Sequence, residues 1–540
     1  MKKIKQSNTL VYLTYSELYG YKDSELSVIN EIKDKPLLDT LQLLSRLQYV
    51  DYMDQDTKRT FLLFLKQKGL LNERVATVVA NRAMINYQCI LTFWKYIFAY
   101  GDEKMLTKSS NLSETELLGQ VITLCAKIGD FLYRGNSSTL ESELIRNIHF
   151  NNRPEVFASL GRSSYIYLDL AAEKEKYNRK EFIDIQSDFC ERNPYTMKEY
   201  LSVITSLISG FSKVNTKITK PVSINPEIYY SEVSIKEAGI KIVNELSFSF
   251  SEAKEWVLEK INHPWDFSLF QIKPLFNYDG KNFIPICIPF LEDEVYEAFF
   301  FKVRKMYDND KILGFLGRPF EEYVALAGRQ SVKDSKVPYQ YIEEFAYGEN
   351  NSKQSPDVMI RLGKKLAVFE VKNRRVRAAA FLQGDELSIK KDLDRTFIEP
   401  VKQAFTSISE ILTTEISHKL SGVEEVYIFS VTNNKCNNLG FYDDYVNEKL
   451  EQVNNSEIVK GCISLDIEEY EALCYLVSKK RPIFNIVDEF LKNPLISFKN
   501  FLYHRNFPMR KPKFLEQRVF SAFDDVLEAF GAQERVKDFK

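Results

Sequence analysis

In the second half of the chain apolar residues recur at strand spacing. Val358, Ile360 and Leu362 alternate with Met359 and Arg361, Gly363-Lys364-Lys365 supplies a turn, and Leu366 to Val371 is an apolar run of the length of a buried strand. So short a connection predicts an antiparallel hairpin. The first half has a different period. Leu37, Leu41, Leu44 and Leu47 follow helical spacing after Pro36, Phe61–Leu71 and Val75–Phe98 continue it, and Ser113-Glu114-Thr115-Glu116 resembles a capping box before Leu117, Val121, Leu124 and Ile128. Around Pro221 and Pro226 the helix signals stop. Beyond them, Phe276–Ile284 predicts a hairpin with an Asp-Gly turn, and Leu291–Tyr307 predicts a helix. A further helix begins near Gly317, and another follows Glu399 with Val401, Phe405, Ile408 and Leu412 on its apolar face. Val426–Val431 reads as a buried strand, and Ile463–Tyr470 as a strand leading into a capped helix. The expected segments are a mainly helical region over 1–215, a connecting α+β region over 216–308, and an α/β domain over 309–540 with a mixed sheet flanked by helices.

A length of 540 residues suits two or three domains rather than one core. A net charge of −2 gives no global basic field, so any binding of nucleic acid must use local patches. Seven dispersed cysteines without a Cys-x-x-Cys pair, and only four histidines, argue against a zinc site and a disulfide framework, and suit a reducing cytoplasm. The basic start, Met1–Gln6, has no long apolar region behind it and does not read as a secretory signal. Ala83–Tyr100 is interrupted by Asn86, Gln88 and Lys95 and reads as a buried helix, so no membrane partner is expected. The chain has no Gly-x-x-x-x-Gly-Lys-[Ser/Thr], His-Glu-x-x-His or Gly-x-Ser-x-Gly motif, which argues against P-loop, zincin and serine-hydrolase chemistry.

The chemistry sits on the predicted hairpin. Asp357 opens its first strand, and Glu370 and Lys372, two apart near the end of the second, leave the same face. Antiparallel pairing brings the two carboxylates and the ammonium together. Buried like charges repel and lose hydration, and a divalent cation relieves both costs. Mg²⁺ is often held by one or two carboxylates with waters and substrate phosphates, and the Val371 carbonyl is a further candidate ligand.

Pro356-Asp357, twelve intervening residues and Glu370-Val371-Lys372 resemble the core motif of the PD-(D/E)XK nuclease superfamily. The resemblance covers roughly residues 310–475, and the first 270 or so match no named family. It implies a restriction-endonuclease-like fold and Mg²⁺- or Mn²⁺-dependent hydrolysis of a phosphodiester, leaving a 5′-phosphate and a 3′-hydroxyl. Asp357 and Glu370 would hold the metal, and Lys372 would position or activate water. The resemblance also implies an acid on the preceding helix, for which Glu321 fits and Glu322 is the alternative. In some branches a Gln or Lys of the following helix faces the site, which makes Gln403 and Lys402 candidates, although a Gln-x-x-x-Tyr pattern is missing because residue 407 is Ser.

DNA is the substrate the resemblance implies. Arg374, Arg375 and Arg377, directly after the motif, are candidate phosphate contacts, and a second basic stretch places Arg505, Arg510, Lys511, Lys513 and Arg518 among Phe507 and Phe514. The helical first half is a candidate surface for a protein partner or for homo-oligomerisation. A helical region joined to such a nuclease resembles the layout of bacterial restriction or anti-phage effectors. The alternatives are a repair or recombination nuclease, and a catalytically silent nuclease fold acting as a scaffold.

Overall fold

Helices form where apolar positions recur every three and four residues. In the computed structural model, which describes residues 12–33, 35–47, 54–132, 144, 155–178, 180–212, 222–376, 386–414, 416–435, 440–479, 481–492, 497–508 and 510–531, the segments Leu38–Leu47, Gln55–Gln67, Glu73–Asn81, Tyr87–Tyr100 and Glu114–Phe131 are α-helices. Ser113 and Glu116 form the expected reciprocal capping box. The helical pattern from Val75 to Phe98 is carried by two of these helices. Asn86 accepts a hydrogen bond from the Gln88 N–H, which starts a new helix instead of continuing the old one. This second helix is buried continuously from Gln88 to Ala99. Among the described residues no helix is long and apolar enough to cross a membrane.

The chain divides into two compact units, each discontinuous in sequence. One comprises Met1–Ser137, Glu199–Phe299 and Val526–Lys540, and the other Ser138–Lys198 and Phe300–Asp525. Their limits do not coincide with segment ends at 215 and 308. Burial groups segments by the apolar face each must cover, whatever their order in the chain.

The first unit packs aromatic side chains against a small sheet of Ser247–Phe248, Leu275–Asn277 and Phe283–Pro285. The Phe98 ring lies 5.0 Å from Phe276 and 5.6 Å from Phe248. The last two strands are antiparallel, and Gly280 between them has a φ of 84°, as the Asp-Gly turn predicts. The expected Leu291–Tyr307 helix is instead two helices, Ile288–Asp293 and Glu297–Arg304, separated by three-residue turns at Val295 and Tyr296.

The second unit contains α1 (Lys311–Asp334), β1 (Gln340–Ile342), β2 (Val358–Leu362), β3 (Lys365–Lys372), α2 (Glu399–Thr413), β4 (Glu425–Thr432), β5 (Val459–Asp466) and α3 (Ile467–Ser478). The sheet order is β5-β4-β3-β2-β1. Strand β2 pairs antiparallel with both β1 and β3, whereas β3, β4 and β5 run parallel. Gly363, at a φ of 60°, closes the β2–β3 hairpin. The chain then needs a crossover to reach β4 in the same direction, and that segment contains α2.

Strand alternation sorts the two faces. Leu366 and Val368 of β3 join Met359, Val426 and Ile428 in a cluster with Val401, Ala404, Ile408 and Ile411 of α2. On the opposite face Phe369 stacks on Phe429 at 4.7 Å and meets Tyr470 of α3 at 5.3 Å. Gly328 of α1 admits this packing, because a Cβ there would lie 2.7 Å from the Tyr470 hydroxyl. The unit is therefore a mixed sheet with helices on both faces. Helix α1 starts earlier than expected, at Lys311, and carries Pro319 inside it. Pro319 removes the hydrogen bond to the Phe315 carbonyl. The helix continues through it with Ile312, Phe315, Leu316 and Phe320 all buried.

Candidate active site

Strand register assembles the site. Val358 is paired with Phe369, so Asp357, one residue earlier, stands beside Glu370, one residue later. Glu370 and Lys372 continue the row begun by Leu366 and Val368, beyond the apolar cluster under α2. Glu370 is only 2% exposed. Lys372 Nζ lies 2.7 Å from its Oε1, and the Val371 N–H donates to Asp357 Oδ2 at 2.6 Å. Asp357, Glu370 and Lys372 thus meet at the end of the hairpin, as expected.

Each group responds to the others. Burial pushes the Asp357 carboxyl well above its ordinary range; Glu370 and Glu321 add to this, while Lys372 and the Val371 N–H oppose it. Burial also raises Glu370, with Lys372 pulling down and Glu321 and Glu344 pushing up. For Lys372, burial favours the neutral amine, but Glu370, Asp357 and Glu321 outweigh it and hold the ammonium above its usual range. The two carboxylates are therefore poorly compensated by one lysine.

The structure separates Glu321 from Glu322. Glu321 folds back over Gly317, with Oε1 3.7 Å from where a Cβ would stand, and pairs with Arg318 at 3.2 Å. It acts on Asp357, Glu370 and Lys372 alike. Glu322 instead pairs with Lys176 at 3.4 Å. Glu321→Gln should weaken Mn²⁺ binding measured by calorimetry about tenfold or more, whereas Glu322→Gln should leave it unchanged. Equal effects of the two substitutions would remove Glu321 from the site.

The other predicted residues lie elsewhere or are already engaged. Gln403 and Lys402 are on the exposed side of α2, and neither bonds or pairs with Asp357, Glu370, Lys372 or Glu321 among the described residues. They are not brought into the site, because α2 turns Val401 and Ala404 inward to cover the sheet. Arg374 is pinned by Glu399 and by the Arg395 carbonyl, both at 2.6 Å. Arg375 does not present itself as a surface phosphate contact: it is buried, with its guanidinium 3.6 Å from the centre of the Phe300 ring. Arg377 lies outside the described residues. In the second basic stretch, Arg505 pairs with Glu489, Lys511 with Glu155 and Glu471, and Arg518 with Asp169, so these cations tie segments of the unit together.

Two groups near the site escape a reading of the sequence. Partial desolvation raises Glu344, just after β1, and Glu321 adds to the shift against Arg318 and Lys372. Asn373, the neighbour of Lys372, donates to the Leu316 carbonyl of α1 at 2.6 Å. Adjacency to the motif was the only signal for Asn373, and the short strand before Glu344 supplied none.

The donor set fits a hard divalent cation. Two carboxylates face each other with their charge incompletely neutralised, and one oxygen of each is engaged by a neighbour, which leaves the second oxygen of each for a cation. Among the described residues no three His, Cys, Asp or Glu side chains form a ready-made metal cage. An arrangement completed by water and substrate phosphate is the one Mg²⁺ commonly uses. A separate cleft of about 370 Å³, lined by Tyr165, Leu326, Arg329, Phe514 and Arg518 among others, contains none of these acids. No protein-family model matches the sequence, and no curated protein matches it.

Proposed function

We propose that the protein is a metal-dependent nuclease that hydrolyses phosphodiester bonds in DNA. The observation that carries this reading is the meeting of Asp357, Glu370 and Lys372 at the end of one antiparallel hairpin. The order of α1, the strand pair with the acids, α2 and the parallel β4 supports a restriction-endonuclease-like fold. Asp357 and Glu370 would hold Mg²⁺ or Mn²⁺, with Glu321 supporting the site from α1. When bound, such a metal would supply a Lewis acid that polarises the phosphate and favours attack by water.

Lys372 orients the attacking water and offsets negative charge as it gathers on the phosphate. Water oxygen bonds to phosphorus, and the bond to the 3′ oxygen breaks. The leaving oxygen ends as a 3′-hydroxyl and the phosphate stays on the 5′ side. A mainly helical region joined in one chain to such a nuclease resembles the layout of a restriction or anti-phage effector, and that role is proposed by analogy of architecture alone. The buried free thiols Cys89, Cys125, Cys287 and Cys474 support a reducing, cytoplasmic setting.

The full chain should cut plasmid or linear duplex DNA in Mg²⁺ or Mn²⁺. Cutting should stop in EDTA and return with excess metal. Parallel reactions on single-stranded DNA and RNA fix the substrate class, and exclusive cutting of RNA would replace DNA in the proposal. Cutting that persists in EDTA would reject the metal mechanism.

A further inference from the structure

The hairpin carries three members of the site, but Glu321 comes from α1, which packs on the sheet face of Val358 and Phe369. Something must hold α1 in place relative to the end of β3. The turn of α1 just before Glu321 is intrinsically weak, because Pro319 donates no N–H to Phe315. Its side-chain restraint comes from Asn373, whose Nδ2 donates to the Leu316 carbonyl at 2.6 Å.

Asn373 is itself held in one orientation. Its Oδ1 accepts from Arg375 Nη1 at 3.0 Å and from Asn433 Nδ2, just beyond β4. Two donors on the oxygen and one acceptor at the nitrogen assign the amide without ambiguity. Arg375 is anchored in turn by its stack on Phe300. A single amide therefore joins the residue after Lys372, the end of β4 and the helix turn that leads to Glu321.

Resting on the nuclease reading, we infer that Asn373 is a positioning residue that sets Glu321 against Glu370 and Lys372, and so sets metal affinity. It touches neither substrate nor reacting atoms. The Asn373 oxygen in turn gives the buried Arg375 guanidinium a polar partner in the interior. Asn373→Asp keeps an oxygen for Asn433 and Arg375 but turns the donor to Leu316 into an acceptor that repels its carbonyl, and it adds a negative charge. Asn373→Ser is the second variant, a shorter side chain that adds no charge.

The test titrates Mn²⁺ by calorimetry into the full chain and follows DNA cleavage against metal concentration. Both variants should bind Mn²⁺ about 10- to 100-fold more weakly, the usual range for an outer-shell partner, and need correspondingly more metal for half-maximal cutting. Much of the cleavage rate should return at saturating metal. A lower melting temperature with unchanged Mn²⁺ affinity in both variants overturns the inference and leaves the nuclease reading intact. If the wild type binds no Mn²⁺ and cuts nothing, the nuclease reading falls and this inference falls with it. A variant that fails to fold is recognised by its circular dichroism, and the other then decides.

Discussion

Asp357→Ala and Lys372→Ala should each reduce metal-dependent DNA cleavage by at least about 10²- to 10³-fold, the scale of losing one preorganised electrostatic contact in a water-poor site. The two losses should differ in kind. In the proposed mechanism Asp357 holds the metal, so its removal should also abolish or greatly weaken Mn²⁺ binding. Lys372 pairs with Glu370 at 2.7 Å and lies on the same strand face. Its removal should lower the rate while leaving metal binding intact or stronger, because a competing cation has gone. Their effects should not add, since both act on one phosphate in one step. Metal-dependent cutting that survives both substitutions unchanged would move the active site elsewhere in the chain.

The second large effect is on stability. Asp357 and Glu370 both titrate above their ordinary range, chiefly from burial, with Glu370 and Glu321 adding to the shift of Asp357, and Glu321 and Glu344 to that of Glu370. The folded protein therefore binds more protons than the unfolded chain between the ordinary carboxylate range, near pH 4, and the raised values. Stability falls as pH rises through that window, and the cost is fully present above it. At pH 8 without divalent metal, Asp357→Asn should raise the melting temperature of the transition that contains this site. Asn keeps an acceptor for the Val371 N–H and removes one like charge. Each kcal/mol gained corresponds to about 2 °C in a unit of this size. Adding Mg²⁺ or Mn²⁺ should stabilise the wild type in proportion to log concentration, and the variant hardly at all. At pH 3.5, where both carboxyls are mostly protonated in either state, the advantage of Asp357→Asn should shrink. A variant less stable than wild type at pH 8 in EDTA would show that this carboxylate is already compensated.

Glu370 and Lys372 show how much of the site is local. Their separation of two residues on a strand puts them on one face whatever the rest of the chain does. Gly363 makes the hairpin, and the hairpin puts Asp357 opposite Glu370. Glu321 and Glu322 show the opposite case. Adjacent residues on a helix point about 100° apart, so only the orientation of α1 on the sheet decides which acid serves the site. Arg374 and Arg375 looked alike as neighbours of the motif, yet one pairs with Glu399 and the other stacks on Phe300 in the interior.

The amino-acid order by itself determined the strand alternation, the capping signals, the Asp-Gly and Gly363 turns, and the grouping of Asp357 with Glu370 and Lys372, because each depends on contacts a few residues apart. Tertiary structure alone decided that Asn373 would grip Leu316, that Gln403 would face outward, and that Arg162 would pair with Glu471 behind the sheet. Those outcomes depend on which apolar faces find each other across long stretches of chain, and spacing along the chain carries no record of that choice.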